Sequence, residues 1–530
     1  MAKFKVLISD KLSDDGVAVF KADPDIQVDI KLKMTPEQLQ EAIADYDALV
    51  IRSDSRVTPE VLARAKKLKV VGRAGVGLDN VDIPAATKAG VIVMNTPDGN
   101  TISAAEHTMA LMLSMARSVP QAHASLKDKK WERGKFMGVE MYGKTLGVIG
   151  LGRIGGEVAK RARAFGMRIL AFDPYCSAEK AGEIGAELTS IPEILKQADF
   201  ITVHVPKTKE TSNLLGAKEL ASCKKGVRLV NVARGGIYDE KALAEAIASG
   251  HVAGAAMDVF TEEPPTGNPL LDLPQVVVTP HLGASTEEAQ NNVAVVVAKQ
   301  ILDALHGRTV ANAVNLPSID LETWKKIKPQ VDLAEKLGAF ASQLAPGRLE
   351  KVGIEYVGGP QGFKTNPLTL VVLKGLLLPS LGDMVNLVNA PFLAKERGIT
   401  VSESQVSESS DFTNLIRLTV EGEAGKHTLT GTVVGKSEAR IVEIDGYRMD
   451  INPSGNLILF FNRDTPGIVG KVASILGDAK INISGLTNGR KAKGGDAVSV
   501  FQVDEDVPDA VLKKVAAVEG VKNERVVRLS

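Results

Sequence analysis

Thr145-Leu-Gly-Val-Ile-Gly150-Leu-Gly152-Arg153-Ile154-Gly155 reads as a strand that turns through glycines into a helix. Thr145–Ile149 is short, apolar and partly β-branched, and Gly155–Phe165 carries apolar residues at helical spacing. Each glycine of the turn meets a separate demand. Gly150 permits the tight turn, Gly152 lets a pyrophosphate reach the backbone, and Gly155 lets the helix close on the strand. The helix N-terminus behind them offers unsatisfied N–H groups and a partial positive charge to phosphates. In a chain with 49 glycines a lone G-x-G-x-x-G means little. Here it has a strand before it, a helix after it, and an acid at the end of the next strand-like run, Arg168-Ile-Leu-Ala-Phe-Asp173. A carboxylate at Asp173 accepts hydrogen bonds from the adenosine ribose hydroxyls and repels a 2′-phosphate, so the motif predicts NAD over NADP.

Outward from this motif, strand-like runs alternate with helical patterns. Lys5–Ile8, Ala48–Arg52, Lys69–Gly72 and Val91–Met94 form one series. Thr145–Ile149, Arg168–Phe172, Phe200–His204, Arg228–Val232, Gly254–Asp258 and Val276–Thr279 form a second. Pro59–Lys67 and Lys241–Ser249 are helical segments between them. Such alternation predicts an α/β protein with parallel sheets covered by helices on both faces. The strands are too many for one comfortable sheet, which divides them into two units. Ser103-Ala-Ala-Glu106 has capping-box spacing before a long apolar helix, and a second long helix starts near Ser285 or Thr286 and stops at Gly307. Two long helices bracketing the second series predict that it is inserted into a discontinuous first domain. The expected boundaries are 1–98 with 287–315 for the first domain and 99–286 for the Rossmann-type insert.

Beyond Leu316-Pro317 the pattern becomes mixed α+β over 316–452, with a helix at Trp324–Leu344 and strands at Leu415–Val420, His427–Val434 and Arg440–Ile444. Ser402–Ser410 is polar and reads as loop or edge. Residues 453–530 read as strand, helix, strand, strand, helix, strand, a small ferredoxin-like βαββαβ unit.

Three polar residues lie just past predicted strand ends in the insert, where open α/β sheets hold ligands. They are Arg234 in Asn231-Val-Ala-Arg234-Gly-Gly, Glu263 in Asp258-Val-Phe-Thr-Glu-Glu263-Pro, and His281 in Thr279-Pro-His281-Leu-Gly-Ala. Beside a dinucleotide motif these types suit hydride chemistry on a hydroxy acid. A guanidinium holds a carboxylate in a bidentate fork. An imidazole takes the hydroxyl proton as hydride leaves. A carboxylate behind the imidazole fixes its tautomer and stabilises its charged form. The other histidines lack this combination.

Gly150–Gly155, Asp173, Asn231–Gly235, Asp258–Pro264 and Pro280–Ala284 together closely resemble the D-isomer-specific 2-hydroxyacid dehydrogenases. The resemblance covers roughly residues 3–315 and implies a flavodoxin-like substrate domain with the NAD domain inserted in it. It implies that Arg234 binds substrate, Glu263 acts as charge relay and His281 is the acid/base. It further implies that the cofactor is held by Gly150, Gly152, Arg153, Ile154, Gly155 and Asp173. Val205, Val232, Ala233, Arg234, Asp258, His281, Gly283 and Ala284 complete that set.

Val50-Ile-Arg52-Ser53, Gly72-Arg73-Ala-Gly75-Val76-Gly77 and Thr96-Pro-Asp-Gly99-Asn100-Thr-Ile-Ser103-Ala-Ala-Glu106-His107 resemble the branch of the family that oxidises D-3-phosphoglycerate toward L-serine. In that branch Ser53, Gly75 and Asn100 match residues approaching substrate, and Arg52 and Arg73 match cations at its phosphate end. Val76 stands where several members carry Thr, a departure expected to change cofactor affinity and not the reaction. The whole 530-residue layout resembles the long form, with an intervening domain and a terminal ACT regulatory domain. Asp464 and Asn482 match positions that contact a serine effector between paired ACT domains. Such enzymes are homo-oligomers, commonly tetramers. Related readings are another D-2-hydroxyacid dehydrogenase or 2-oxoacid reductase, or an NAD-sensing binding protein on the same fold.

Composition fits an ordinary soluble globular protein. The 64 basic and 64 acidic residues cancel, which gives no global attraction to nucleic acid or an anionic membrane. Arg490–Lys493 is cationic but lacks interleaved aromatics and reads as a solvated hairpin tip. Two cysteines, Cys176 and Cys223, are too few for a disulfide scaffold or a Cys-rich zinc site and suit a reducing compartment. A cytoplasmic enzyme without a metal is expected.

Overall fold

The computed structural model describes residues 2–308, 310–317, 321–358, 366–406, 412 and 414–529. Among them the strands form four sheets. The first holds β1 (Phe4–Ile8), β2 (Ile26–Ile30), β3 (Ala48–Ile51), β4 (Val70–Arg73) and β5 (Ile92–Met94), all parallel, in the order β2-β1-β3-β4-β5. This is the flavodoxin-like order. The second holds β6 (Thr145–Ile149), β7 (Arg168–Phe172), β8 (Ala186–Leu188), β9 (Phe200–Val203), β10 (Val227–Asn231), β11 (Val252–Met257) and β12 (Val276–Val278). Its order β12-β11-β10-β9-β6-β7-β8 reverses direction between β6 and β9, at the Gly-rich turn. That reversal is the switch point where Rossmann sheets bind dinucleotides.

Central strands in such sheets are covered on both faces, so they read as unbroken apolar runs. Every residue of β3 and β9 is buried accordingly. The edge strands β2 and β8 went unrecognised in the sequence. Ile26-Gln-Val-Asp-Ile30 alternates with polar residues and Ala186-Glu-Leu188 is only three residues long, as edges permit.

Two helices run between the units. Thr101–Ala116 leaves the first sheet and packs along the second, and Glu287–Leu305 returns to the first. The return helix is capped by Thr286, whose side chain accepts from the Ala289 amide. It lies so close that a Cβ on Gly72 would stand 2.5 Å from Ile301 Cδ1, and one on Gly16 would stand 2.6 Å from Ala294 Cβ. The capping box expected at Ser103 is not formed. The helix already begins at Thr101, with Asn100 as an N-cap that makes no side-chain bond, and Ser103 Oγ donates instead to the Gly283 carbonyl at 2.8 Å. A contact from another element has taken the hydroxyl that local pattern assigned to the cap.

The third sheet has the order β14-β13-β15-β16-β17-β18, comprising β13 (Leu349–Gly358), β14 (Thr400–Val406), β15 (Asn414–Gly422), β16 (Gly425–Val434), β17 (Glu438–Ile444) and β18 (Tyr447–Ile451). The polar stretch Ser402–Ser410 supplies part of its parallel edge strand, and residues 407–410 lie outside the described ones. The helices Leu321–Leu344 and Asn366–Leu381 cross closely. A Cβ on Gly375 would stand 2.1 Å from the Glu335 carbonyl, and Lys374 pairs with Glu335 at 2.8 Å. By length and apolarity Asn366–Met384 would suffice to cross a membrane, yet here Leu368, Val371, Val372 and Leu376 are core residues.

The last sheet holds β19 (Gly455–Arg463), β20 (Ile483–Arg490), β21 (Asp496–Val503) and β22 (Val521–Leu529) in the order β20-β21-β19-β22. Its helices Ile468–Asp478 and Asp509–Ala516 cover Phe460 and Phe501 on one face. From the other face Leu457, Leu459, Val498 and Val527 join the core of the preceding unit. The Arg490–Lys493 loop is not a free tip. Arg490 donates to Asp464 at 2.6 Å, and Lys491 donates to the Asp445 carbonyl and lies 4.4 Å from the Tyr447 ring centre.

Candidate active site

The Gly-rich turn is built as its spacing predicted. Gly150 has φ 97°, and a Cβ there would meet the His204 carbonyl at 2.5 Å and Val205 Cγ1 at 2.8 Å. A Cβ on Gly155 would fall 2.0 Å from the Gly150 carbonyl oxygen, so nothing larger lets the helix close. Gly152 faces open space within 4 Å and begins the helix Arg153–Ala164 without a side-chain cap, which leaves the first-turn amides for an outside acceptor. Ile154 packs against the core beneath the turn. Arg153 is drawn across to Asp98 of the other unit at 2.5 Å. Asp173 stands beside the turn, accepting from the Leu151 amide and the Tyr175 amide at 2.8 Å each. His204, at the same switch point, has a buried Nδ1 without a partner, and burial holds its imidazole neutral, down to about 4. The glycine turn, the free helix amides and the carboxylate of Asp173 beside them fit a dinucleotide.

Arg234, Glu263 and His281 follow β10, β11 and β12, three neighbouring strands of this sheet. His281 Nδ1 lies 2.8 Å from Glu263 Oε2, whose other oxygen accepts from the Phe260 amide at 3.1 Å. The carboxylate therefore selects the Nδ1–H tautomer and leaves Nε2 as the basic nitrogen. A recess of about 350 Å³ opens beside them, lined by Phe260, Glu263, Thr279, Pro280 and His281 among others. His281 has φ 56°, an uncommon conformation for a residue with a side chain, and its amide donates to the Asp258 carbonyl at 2.8 Å. Asn231 shapes the neighbouring turn, accepting from the Ala233 amide and donating to the Arg234 carbonyl. A Cβ on Gly283 would stand 3.0 Å from Val232 Cγ1, which keeps these two expected cofactor neighbours in contact. The Ala284 carbonyl is engaged by Gln290.

The opposite wall comes from the first sheet. Arg52 and Ser53 follow β3, and Arg73 ends β4. Arg73 Nε donates to the Arg52 carbonyl and to Asn80, while Nη2 approaches Ser53 Oγ at 3.4 Å. A Cβ on Gly75 would press on Arg73 Nη1 at 2.6 Å. Burial first, and then Arg234 and Arg52, bring the Arg73 guanidinium down to about 10, against the opposing pull of Asp79 and Asp10. Three guanidiniums thus repel one another in one cleft. Arg52 Nε and Asn100 Oδ1 are buried there without partners. Arg234 crosses the cleft to Asp79 at 3.2 Å.

Asp464 and Asn482 are not brought together within the chain. Asp464, held low by the Gly494 amide and then by Arg490, sits at the entry of β21. Asn482 donates to Asp504 just past its exit. The eight residues of β21, at about 3.3 Å each, place them about 26 Å apart.

Sequence reasoning missed the polar network behind His281. Asp258 is fully buried and accepts from His107 Nε2 at 3.2 Å, Thr279 Oγ1 at 2.5 Å, the Leu282 amide at 2.7 Å and the Gly283 amide at 2.9 Å. Burial alone would raise its carboxyl, but these hydrogen bonds outweigh burial and lower it. The available signal was the i, i+4 placement of Ser103 and His107 on one helix face. Elsewhere Asp23, Asp25 and His306 bring ligand-type atoms within 4.8 Å, but Asp23 and His306 already satisfy each other at 2.8 Å.

Residues 109–283 match the D-isomer specific 2-hydroxyacid dehydrogenase NAD binding domain, 326–445 the D-3-phosphoglycerate dehydrogenase intervening domain, and 456–520 the ACT domain. The chain is 45% identical over 526 residues to D-3-phosphoglycerate dehydrogenase of Bacillus subtilis, covering 99% of this chain and 100% of that one. It is 46% identical to the enzyme of that name in Methanocaldococcus jannaschii, with the same coverage. Among solved structures it resembles a glyoxylate reductase from Paecilomyes thermophila at 30% identity and TM-score 0.55, covering 59% of this chain and 99% of the other. A D-lactate dehydrogenase from Aquifex aeolicus, solved with NAD and lactic acid, matches at 28% identity and TM-score 0.52 over 57% of this chain and 96% of the other. Full-length identity, the three successive domain matches and the geometry of the cleft agree that this chain belongs to the D-3-phosphoglycerate dehydrogenase family.

Proposed function

We propose that the chain oxidises D-3-phosphoglycerate to 3-phosphohydroxypyruvate with NAD, at the head of a route to L-serine. The observation that carries this reading is the pairing of His281 with Glu263 past the strand ends, with Arg234, Arg73 and Arg52 clustered at the neighbouring strand ends of the two sheets. NAD, held by the Gly150–Gly155 turn and Asp173, supplies the hydride acceptor. Arg234 exchanges Asp79 for the substrate carboxylate. His281 Nε2 takes the C2 hydroxyl proton as the C2 hydrogen leaves, and Glu263 stabilises the resulting imidazolium. Arg52 and Arg73 hold the phosphate with Ser53, Gly75 and Asn100 nearby, and each charge-assisted bond contributes about 1.5–3 kcal/mol. Comparing kcat/KM for D-3-phosphoglycerate with that for D-glycerate tests the phosphate assignment. A preference of about a hundredfold or more is expected from two such bonds, and equal use of both would overturn it.

The proposed boundaries are 1–98 with 287–315 for substrate, 99–286 for NAD, 316–452 for the intervening domain and 453–530 for the ACT domain. Because Asp464 and Asn482 lie at opposite ends of β21, an L-serine site using both requires ACT domains from two copies. A homo-oligomer, proposed as a tetramer, is also supported by the exposed apolar residues Leu126, Trp131, Met137 and Tyr142 in one segment. The unpaired thiols of Cys176 and Cys223 support a reducing, cytoplasmic setting.

A further inference from the structure

Thr101–Ala116 is the helix by which the chain passes from the first unit to the second, and it carries Asn100 at its N-cap. Ser103 and His107 lie one turn apart on it and face the same loop. Ser103 Oγ donates to the Gly283 carbonyl at 2.8 Å, and His107 Nε2 lies 3.1 Å from Thr279 Oγ1 and 3.2 Å from Asp258 Oδ1. Thr279 and Gly283 flank His281 on either side. The proton positions follow from the partners. Asp258 accepts only, and the Thr279 hydroxyl gives its hydrogen to Asp258 at 2.5 Å. His107 must therefore carry a proton on Nε2, donating to both oxygens.

We infer that Ser103 and His107 are positioning residues that clamp the His281 loop to the helix bearing Asn100, fixing the acid/base relative to substrate. The inference rests on the dehydrogenase reading above and deepens it. His281 needs such support because its backbone has φ 56°, which its neighbours must over-determine. Glu263 fixes the imidazole tautomer but is itself on a loop after β11, so it does not set the height of the histidine above the sheet. The Asp258 network does. Leu282 and Gly283 amides bind its carboxylate from the loop, and His107 binds it from the helix. Shifting a reacting group by about 1 Å can cost on the order of a hundredfold in rate. Neither Ser103 nor His107 has to touch substrate for its loss to be felt.

The test compares His107→Leu, His107→Gln and Ser103→Ala in the full chain. Glutamine places an N–H donor near the position of Nε2, whereas leucine fills space without one. His107→Leu is expected to lower kcat about tenfold to a hundredfold with KM for D-3-phosphoglycerate changed less than threefold, and His107→Gln to recover most of kcat. Ser103→Ala is expected to lower kcat about threefold to tenfold. Amide exchange of the peptide spanning 279–284 is measured alongside and is expected to quicken in His107→Leu and not in His107→Gln. Wild-type kcat in His107→Leu, or equal loss in His107→Leu and His107→Gln, would overturn the inference. If the wild type does not oxidise D-3-phosphoglycerate, the function reading fails by itself, and the exchange comparison still decides the clamp. Unchanged exchange in His107→Leu would then reject it.

Discussion

Gly152 and Gly155 make opposite demands on the same turn, and replacing each by alanine separates them. A Cβ on Gly155 would stand 2.0 Å from the Gly150 carbonyl oxygen, and a carbon and an oxygen settle near about 3.3 Å. The helix Arg153–Ala164 must then retreat by about 1.3 Å, or the Gly150 peptide must rotate from the φ of 97° that makes the turn. Overpacking of this kind costs about 1–3 kcal/mol. In a domain of this size that lowers Tm by about 2–12 °C. Gly152→Ala is different. Its φ of −70° suits alanine, and a Cβ there meets nothing within 4 Å. With ψ at −155°, at the border of the extended range, the gain from restricting the unfolded chain is offset and folding should change little. The methyl group would occupy the path by which a pyrophosphate reaches the helix amides. Losing one charge-assisted bond, about 1.5–3 kcal/mol, weakens NADH binding about tenfold to a hundredfold. Fluorescence titration with NADH and scanning calorimetry read the two effects. Weak binding with native Tm is expected in Gly152→Ala, and loss of both in Gly155→Ala. Native NADH affinity in Gly152→Ala would refute the cradle, as would a Tm as low as that of Gly155→Ala.

Further outcomes follow from the other groups. His281→Asn should lower kcat about a hundredfold to ten-thousandfold while NADH titration stays near wild type, and intact turnover would refute the acid/base role. Asp173→Ala should narrow the kcat/KM ratio between NAD and NADP, and an unchanged ratio would refute the ribose assignment. Burial, and then Arg234, bring the Arg73 guanidinium down to about 10, below the ordinary arginine range, so its contribution to stability is lost as pH falls through about 10 and its buried charge is a liability at pH 7. Inorganic phosphate at pH 7 should therefore raise Tm beyond equimolar-ionic-strength chloride, by up to about 2.7 kcal/mol of stabilisation at a hundred times Kd, and Arg73→Gln should abolish the difference. Asn482→Ala should remove L-serine binding measured by calorimetry, whereas unchanged binding would leave Asn482 as a partner of Asp504 alone.

The parts of this fold that a reader of the sequence can recover are those written in adjacent residues. The turn Gly150–Gly155 declares itself because each glycine answers a steric demand within six positions, and the buried strands β3 and β9 read as unbroken apolar runs. Arg234, Glu263 and His281 are legible as candidates because each sits just after a strand. Contacts between distant segments are not legible. Ser103 looks like a helix cap until its partner, the Gly283 carbonyl, is seen across the interface. His107 and Asp258 are 151 positions apart, and nothing local to either predicts their bond. Likewise Arg490 reads as a solvated cation because Asp464, its partner, belongs to another loop. A polar edge strand such as β2 escapes notice because half-exposed backbone tolerates polar side chains that a central strand excludes.

Dehydrogenase activity is decided by NADH formation from the purified chain supplied with NAD and D-3-phosphoglycerate, with a coupled trap removing the oxo product so that equilibrium does not mask turnover. Sustained NADH formation that collapses in Glu263→Gln and His281→Asn is the predicted result. An absence of turnover in the wild type, with NADH still bound at the Gly150–Gly155 turn, would contradict it.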